Sequence, residues 1–211
     1  MRTIIPCRQL ATLVTALLLG VSLSGIAAVV DEPGPGRLAT ATFAGGCFWC
    51  VEHAFDEVAG VVSTTSGYTG GPQKNPTYSE VSAGNTGHAE AVRVIYDPQK
   101  VSYGELLRVF WRNIDPTAPD RQFCDVGNQY RSAIFYHDET QQHLAEESKR
   151  ALERSKPFKE PIVTELAIAS EFYVAEEYHQ DYHHKNPIRY KLYRYRCGRD
   201  QRLNELWGEA S

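Results

Sequence analysis

LATATFAGGCFWCVEHAFDEVAG, residues 38–60, changes its hydrophobic period halfway along. From Leu38 to Ala44 the residues are small, β-branched or aromatic and read as a strand; from Cys47 to Val58 the apolar positions recur at helical spacing and stop before Gly60. Gly45 and Gly46 lie at the join, where a tight turn is required. A strand running through a glycine turn into a helix sets the terms for the rest of the chain. Further strand-like runs occur at VVSTTSGY (61–68), EAVRVIY (90–96), SAIFYH (132–137) and PIVTELAIA (161–169). Helical spacing occurs at 102–114, with Ser102 as its cap, and at 138–155, capped by Asp138. Strands interleaved with helices predict an α/β (α+β) fold, a two-layer sandwich of helices on a mixed sheet with an extended C-terminal tail. Two long polar segments rich in Gly, Pro and Asn, 70–89 and 115–131, fit neither period. Loops of that length in a compact domain are usually functional.

The N-terminus is read apart from the domain. Arg2 and Arg8 precede an uncharged run ending in the small pair Gly25 and Ala27, the pattern of a signal peptide over 1–27. An uncleaved membrane anchor is the alternative, because the run from Gln9 to Val30 is just long enough to span a bilayer. Either way the expectation is a periplasmic or secreted domain, or one anchored facing that compartment. A Pro/Gly linker covers 28–38, and 39–211 is expected to form a single catalytic domain. At 42% hydrophobic and 23% charged residues the chain is globular in composition, and a formal charge of −4 supplies no basic footprint for nucleic acid. A monomer is expected.

Setting aside Cys7 in the leader, Cys47, Cys50, Cys124 and Cys197 remain in a domain large enough to fold without staples. They read as reactive thiols, with structural disulfides as the alternative for an exported protein. Cys47 falls at the start of the helix, where free N–H groups and the positive end of the helix dipole favour a thiolate and a lowered pKa. Its C-x-x-C spacing with Cys50 leaves open a redox pair, half of a metal site, or one nucleophile beside an incidental thiol. Phe48 and Trp49 are either core residues or the wall of a small apolar subsite.

GCFW after a strand and before a helix resembles the signature of the peptide methionine sulfoxide reductases of the A type. NPTYSEV (75–81), TGHAEAVRV (86–94), DVGNQYRSAIF (125–135) and AEEYHQDYHHKNP (175–187) are similar to further segments of that family, in the family's order. The resemblance implies reduction of methionine S-sulfoxide, free or in proteins, and hence repair of oxidised proteins. It implies no bound cofactor and a thioredoxin-like reductant as electron donor. It places the nucleophile on Cys47, substrate-binding tyrosines on Tyr78 and Tyr130, the acid on Glu90 and the supporting aspartate on Asp125. The chemistry explains the residue types: a sulfoxide sulfur is a weak electrophile whose oxygen leaves only when protonated. A thiolate, a proton donor and hydroxyls that polarise the S–O bond are therefore needed, and Glu90 has to be kept protonated by burial. The product on the enzyme is a sulfenic acid, which a second thiol must resolve. The resemblance points toward the C-terminus and so to Cys197, beside Arg194, Arg196 and Arg199; Cys50 is the alternative and Cys124 a third.

Two other classes compete. A general thiol–disulfide oxidoreductase built on Cys47 and Cys50 leaves Tyr78, Glu90 and the Asp125–Tyr130 run without a task. A metal module would use Cys47, Cys50, His179, His183 and His184, but HQDYH has Gln180 where a zinc-protease motif needs glutamate. The histidines therefore read as helix-surface residues, and no metal is assigned.

Overall fold

The computed structural model describes residues 36–208, all within one compact unit. The predicted leader and most of the linker lie outside the described residues. In chain order the elements are β1 (Ala39–Gly45), α1 (Phe48–Asp56), β2 (Val61–Thr69), α2 (Tyr78–Ser82), β3 (Ala89–Tyr96) and α3 (Tyr103–Arg112). There follow β4 (Arg121–Gln122), β5 (Asp125–Val126), β6 (Ser132–Tyr136), α4 (Glu139–Ser155), β7 (Glu165–Ile168) and β8 (Tyr173–Val174). The chain closes with α5 (Tyr182–Lys185), α6 (Pro187–Arg196) and α7 (Arg199–Trp207).

Six strands form one mixed sheet in the order β7-β6-β1-β3-β2-β8, with only β6–β7 parallel. Strand alternation sorts the side chains. Phe43 pairs across with Val92 and Ile134, and these join Val94, Phe55, Leu106 and Phe110 in the main core. Ala44, Ala91, Ala133 and Phe135 point to the opposite face, where Ala167, Ala169 and Phe172 cover them. Helix α3 starts at the predicted Ser102, whose hydroxyl accepts from Glu105 N–H while the Glu105 carboxylate accepts from Ser102 N–H. The Asp138 carboxylate likewise accepts from Gln141 N–H at 2.7 Å. Caps of this kind are each worth about 1 kcal/mol.

Two outcomes differ from the sequence reading. The strand read over 161–169 is paired only at Glu165–Ile168, because Pro161 has no N–H and Val163 donates to Pro116 O instead, at 2.8 Å. The C-terminal extension beyond the sandwich is helical: Pro187 takes the first position of α6, and Gly198, at φ +69°, turns the chain into α7. Arg199, only 2% exposed, then donates to Gly45 O (3.2 Å) and Asn113 O (2.6 Å), and Trp207 Nε1 donates to Ile114 O at 3.2 Å. Among the described residues no helix is long and apolar enough to cross a membrane.

The β1–α1 turn is held from outside by the loop before β6. Gly46 adopts φ +83°, and a Cβ there would lie 2.5 Å from Gln122 Cβ. Gln122 is fully buried, its amide bonding Asp115 N–H and Asp115 O at 2.8 and 2.6 Å, so it has nowhere to go. Gly46→Ala is therefore expected to destabilise the fold by on the order of 3 kcal/mol, from left-handed strain plus overpacking. In urea unfolding this appears as a lowered midpoint with unchanged slope.

Candidate active site

Cys47 is the N-cap of α1, at the helix start where the sequence reading placed it, with φ −50° and ψ 117°. The next N–H, that of Phe48, is an orphan donor of the helix start, and it meets the Glu90 Oε2 atom at 3.0 Å. Glu90 gets there by strand period: on β3 it shares the helix-covered face with Val92 and Val94 and lies across from Tyr68. At 2% exposure its carboxyl is pushed up to about 8, chiefly by burial, with the Phe48 N–H pulling the other way and Asp125 and Cys50 adding to the rise. Glu90 is thus a protonated acid at neutral pH.

A cavity of about 60 Å³ opens beside it, lined by Cys47, Phe48, Trp49, Tyr78, Glu90, Asp125, Tyr130 and Tyr193. Every catalytic or substrate-binding candidate from the sequence is on this wall. Tyr78 is set by the two oxygens of Glu176, one accepting from Tyr78 N–H (2.9 Å) and the other from Tyr68 OH (2.8 Å). Burial raises the Tyr78 phenol to about 12 and Tyr130 higher still, so both hydroxyls remain donors. Trp49 donates through Nε1 to His179 Nδ1 at 3.2 Å and lies flat on Tyr182, with ring centroids 3.7 Å apart. Wider clefts occur elsewhere, one of about 590 Å³ between Val58 and Asn113, but it contains no nucleophile.

Tyr193 was not singled out from the sequence, although its hydroxyl donates to the Asp125 carboxylate and so orients the one acidic group at the cavity rim. Its only signal there is spacing: on a helix it lies one turn before Cys197. Glu176 and Arg199 were likewise missed in these supporting roles. Of the three histidines read as helix-surface residues only His184 is exposed: His179 is buried against Phe48, Trp49 and Tyr78, and His183 is buried elsewhere, beneath α1.

The cysteines require two corrections. Cys197 is bonded to Cys124, with α-carbons 4.9 Å apart, so the late cysteine read as the partner of Cys47 is engaged with the third thiol instead. Loop 115–131 and the end of α6 converge there, which sequence separation hid. Cys47 and Cys50 are free and buried. Burial, at 6% exposure, pushes the Cys47 thiol up and outweighs the helix end expected to lower it; Cys50, Glu90 and Asp125 add to the rise. The negative charge of the pair rests first on Cys50, lowered to about 6 chiefly by the hydrogen bond it receives from Cys47, with Arg199 and Arg194 assisting. The two thiols titrate as a pair, so loss of the first proton leaves one thiolate between them.

A buried thiol pair, a protonated carboxylic acid and two phenol donors around a small aromatic-walled cavity define a thiol-dependent reductase acting on a small polar oxide. Residues 39–211 match the family model described as peptide methionine sulfoxide reductase. Among curated relatives, the peptide methionine sulfoxide reductase MsrA of Bacillus licheniformis is 54% identical over 168 residues, covering 80% of this chain and 93% of the relative. That of Methanosarcina mazei is 54% identical over 166 residues, covering 79% and 78%. Among solved structures, reduced Mxr1 of Saccharomyces cerevisiae superposes with a TM-score of 0.68 at 34% identity, covering 72% of this chain and 88% of that one. The methionine sulfoxide reductase A of Corynebacterium diphtheriae gives 0.63 at 38%, covering 74% and 77%. The chain belongs to the peptide methionine sulfoxide reductases of the A type. Its reaction is the thiol-dependent reduction of methionine S-sulfoxide to methionine.

With the Cys124–Cys197 disulfide intact, ultraviolet titration of thiolate absorbance is expected to show one thiolate forming with an apparent pKa near 6. Cys47→Ala removes the hydrogen bond that is the largest cause of this lowering, so the remaining thiol should titrate at clearly higher pH.

Proposed function

We propose that Cys47 is the nucleophile, that Glu90 protonates the leaving oxygen, and that Tyr78 and Tyr130 hold it. Phe48 and Trp49 form the wall for the methyl group, and Asp125, oriented by Tyr193, arranges the rim. The observation that carries this reading is the convergence of all these side chains on one cavity. The Cys47 sulfur bonds to the sulfoxide sulfur while Glu90 gives its proton to the oxygen. The substrate S–O bond then breaks, the oxygen bonds to the Cys47 sulfur, and the new S–S bond breaks in turn, which leaves a sulfenic acid on Cys47 and releases the thioether. A fixed thiolate on one side and an aromatic wall on the other suit one handedness at sulfur, in keeping with one enzyme per epimer.

For the second half of the cycle, Cys50 is the resolving thiol, because it follows Cys47 by three residues in the first turn of α1 and both thiols are free, buried and electrostatically linked. Its sulfur condenses with the sulfenic acid to a Cys47–Cys50 disulfide and water. The reduced pair Cys124/Cys197 then takes over the oxidation by disulfide exchange, leaving Cys47 and Cys50 as thiols and Cys124–Cys197 as the disulfide. Two observations support this relay. Cys197 Sγ lies 4.0 Å from Asp125 Oδ2 at the cavity rim, and the same residue lines a second, open cleft of about 420 Å³ with Phe123 and Arg202. A reductant reaching that cleft would regenerate the outer pair without entering the cavity.

The donor is a thioredoxin-like protein; an Mxr1 structure in complex with Trx2 shares the fold, with a TM-score of 0.51. The cycle runs on thiols with no bound cofactor, in a monomer. The N-terminal signal pattern and a disulfide in the folded domain support a periplasmic or secreted enzyme, or one held there by an uncleaved leader, fed by a membrane-linked donor.

The chemical step needs protonated Glu90 and one thiolate in the pair. Single-turnover rates should therefore rise through pH 6, as the pair loses its first proton, and fall through pH 8, as Glu90 loses its own. Glu90→Gln should lower the plateau by roughly 10²–10⁴-fold and remove the alkaline limb. A wild-type rate in that variant would exclude the proton-donor role.

Cys50→Ser should still release one thioether per enzyme but accumulate the sulfenic acid at Cys47. Cys197→Ser should complete the Cys47–Cys50 disulfide and stall only in turnover with a thioredoxin-like donor. Mass spectrometry of disulfides after one turnover distinguishes the two, and a Cys47–Cys197 bond in wild type would make Cys197 the direct resolver.

A further inference from the structure

Beneath α1, away from the cavity, is a polar cluster that the reductase chemistry does not use. Glu52 and Asp56, one turn apart on α1, face His183 and His184 on α5. His183 is 6% exposed and Glu52 1% exposed, yet both ring nitrogens of His183, Glu52 Oε2 and Asp56 Oδ2 are buried with no hydrogen-bond partner. Four such atoms in one place are an anomaly, since buried polar groups are almost always satisfied.

Their spacing is close to that of ligand atoms around one cation. His183 Nε2 and Asp56 Oδ2 are 3.4 Å apart, too long for a good hydrogen bond. Two ligand atoms each about 2.0–2.1 Å from a tetrahedral ion are separated by about 3.3 Å. The ligating atoms of Asp56, His183 and His184 all lie within 4.8 Å of one another. The remaining partners are arranged as a metal site's supports are: Thr64 Oγ1 donates to Asp56 Oδ1 at 2.6 Å, leaving Oδ2 free to face the histidine. On the far side of the His183 ring, Glu52 Oε2 is the nearest carboxylate to Nδ1 at 4.0 Å, longer than a hydrogen bond but on the side from which a carboxylate backs a ligating histidine. His184 is exposed and forms the entrance.

We propose that Asp56, His183 and His184 bind one divalent transition-metal ion of the zinc class, with Glu52 orienting His183 and solvent completing the coordination. Two imidazoles and one carboxylate suit zinc, cobalt, nickel or copper over magnesium or calcium. This set is distinct from the one read in the sequence, for Cys47 and Cys50 take no part and His179 faces the active site. The ion would tie the C-terminal end of α1 to α5, bracing the helix whose other end presents Cys47.

The test uses tag-free protein with the disulfide intact, with Co²⁺ and Zn²⁺ as probes. In Cys47→Ser/Cys50→Ser protein we expect one equivalent of Co²⁺, with visible d–d bands and no thiolate charge-transfer band, displaced by Zn²⁺. His184→Ala, at an exposed position that leaves folding intact, should abolish binding, and Glu52→Gln should weaken it roughly 10–100-fold. At a hundredfold excess over its dissociation constant Zn²⁺ should raise Tm by on the order of 5 °C, and not in His184→Ala. Absence of stoichiometric binding, or binding unchanged by His184→Ala, would overturn the site. So would a wild-type cobalt spectrum dominated by thiolate bands and lost on replacing the cysteines.

Discussion

Beneath the start of α1, a single backbone N–H rests on a buried carboxyl group. The Phe48 N–H to Glu90 contact joins the helix that presents Cys47 to the central strand of the sheet, and it couples the fold to the site. A helix end buried without a partner is costly, and Glu90 removes that cost at one donor. The same burial that makes the contact structural keeps the carboxyl protonated, because a single N–H only partly offsets the desolvation. One residue therefore satisfies the helix end through Oε2, 3.0 Å from the Phe48 nitrogen, and holds a proton on the same carboxyl group. The aromatic wall, the tyrosines and the rim aspartate are arranged around a point that this contact fixes.

The four cysteines of the domain divide into two pairs with opposite environments. Cys47 and Cys50 are buried on α1, out of reach of a bulky reductant. Cys124 and Cys197 lie at the surface, joined across 73 residues. A buried pair suits the chemistry, where water would compete, and an outer pair suits exchange with a protein donor, where access is required. Asp125 and Tyr193 stand between the two, each one turn or less from a cysteine of the outer pair.

Much of this was legible in the sequence, for identifiable reasons. The strand-to-helix change of period around Gly45–Gly46 and the caps at Ser102 and Asp138 are local signals, and each was found where it was read. Glu90 was singled out through the resemblance of its segment to the family, since local sequence alone leaves a solvated strand-end carboxylate equally open; in the fold it is buried on the face it shares with Val92 and Val94. What was not legible depends on long-range contact. Nothing local shows that Cys124 meets Cys197, or that Glu176 reaches back to Tyr78 across 98 residues. The Cys47 acidity was misjudged because the helix end is visible in sequence and the depth of burial is not. The C-terminal helices were hard to read because their apolar face is narrow and much of their packing uses arginine and tyrosine.

Arg199 carries a consequence for how the enzyme is made. Its guanidinium bonds the carbonyl of Gly45, 154 residues earlier in the chain, at the turn that aims Cys47. During synthesis at about 5–20 residues per second, the turn emerges roughly 8–30 s before the residue that holds it. Throughout that interval the nascent chain carries Cys47, Glu90, Tyr78 and Tyr130, but not the side chain that closes the turn from behind. A nearly complete polypeptide is thus a different chemical object from the finished one: Cys47 lies in a turn not yet braced.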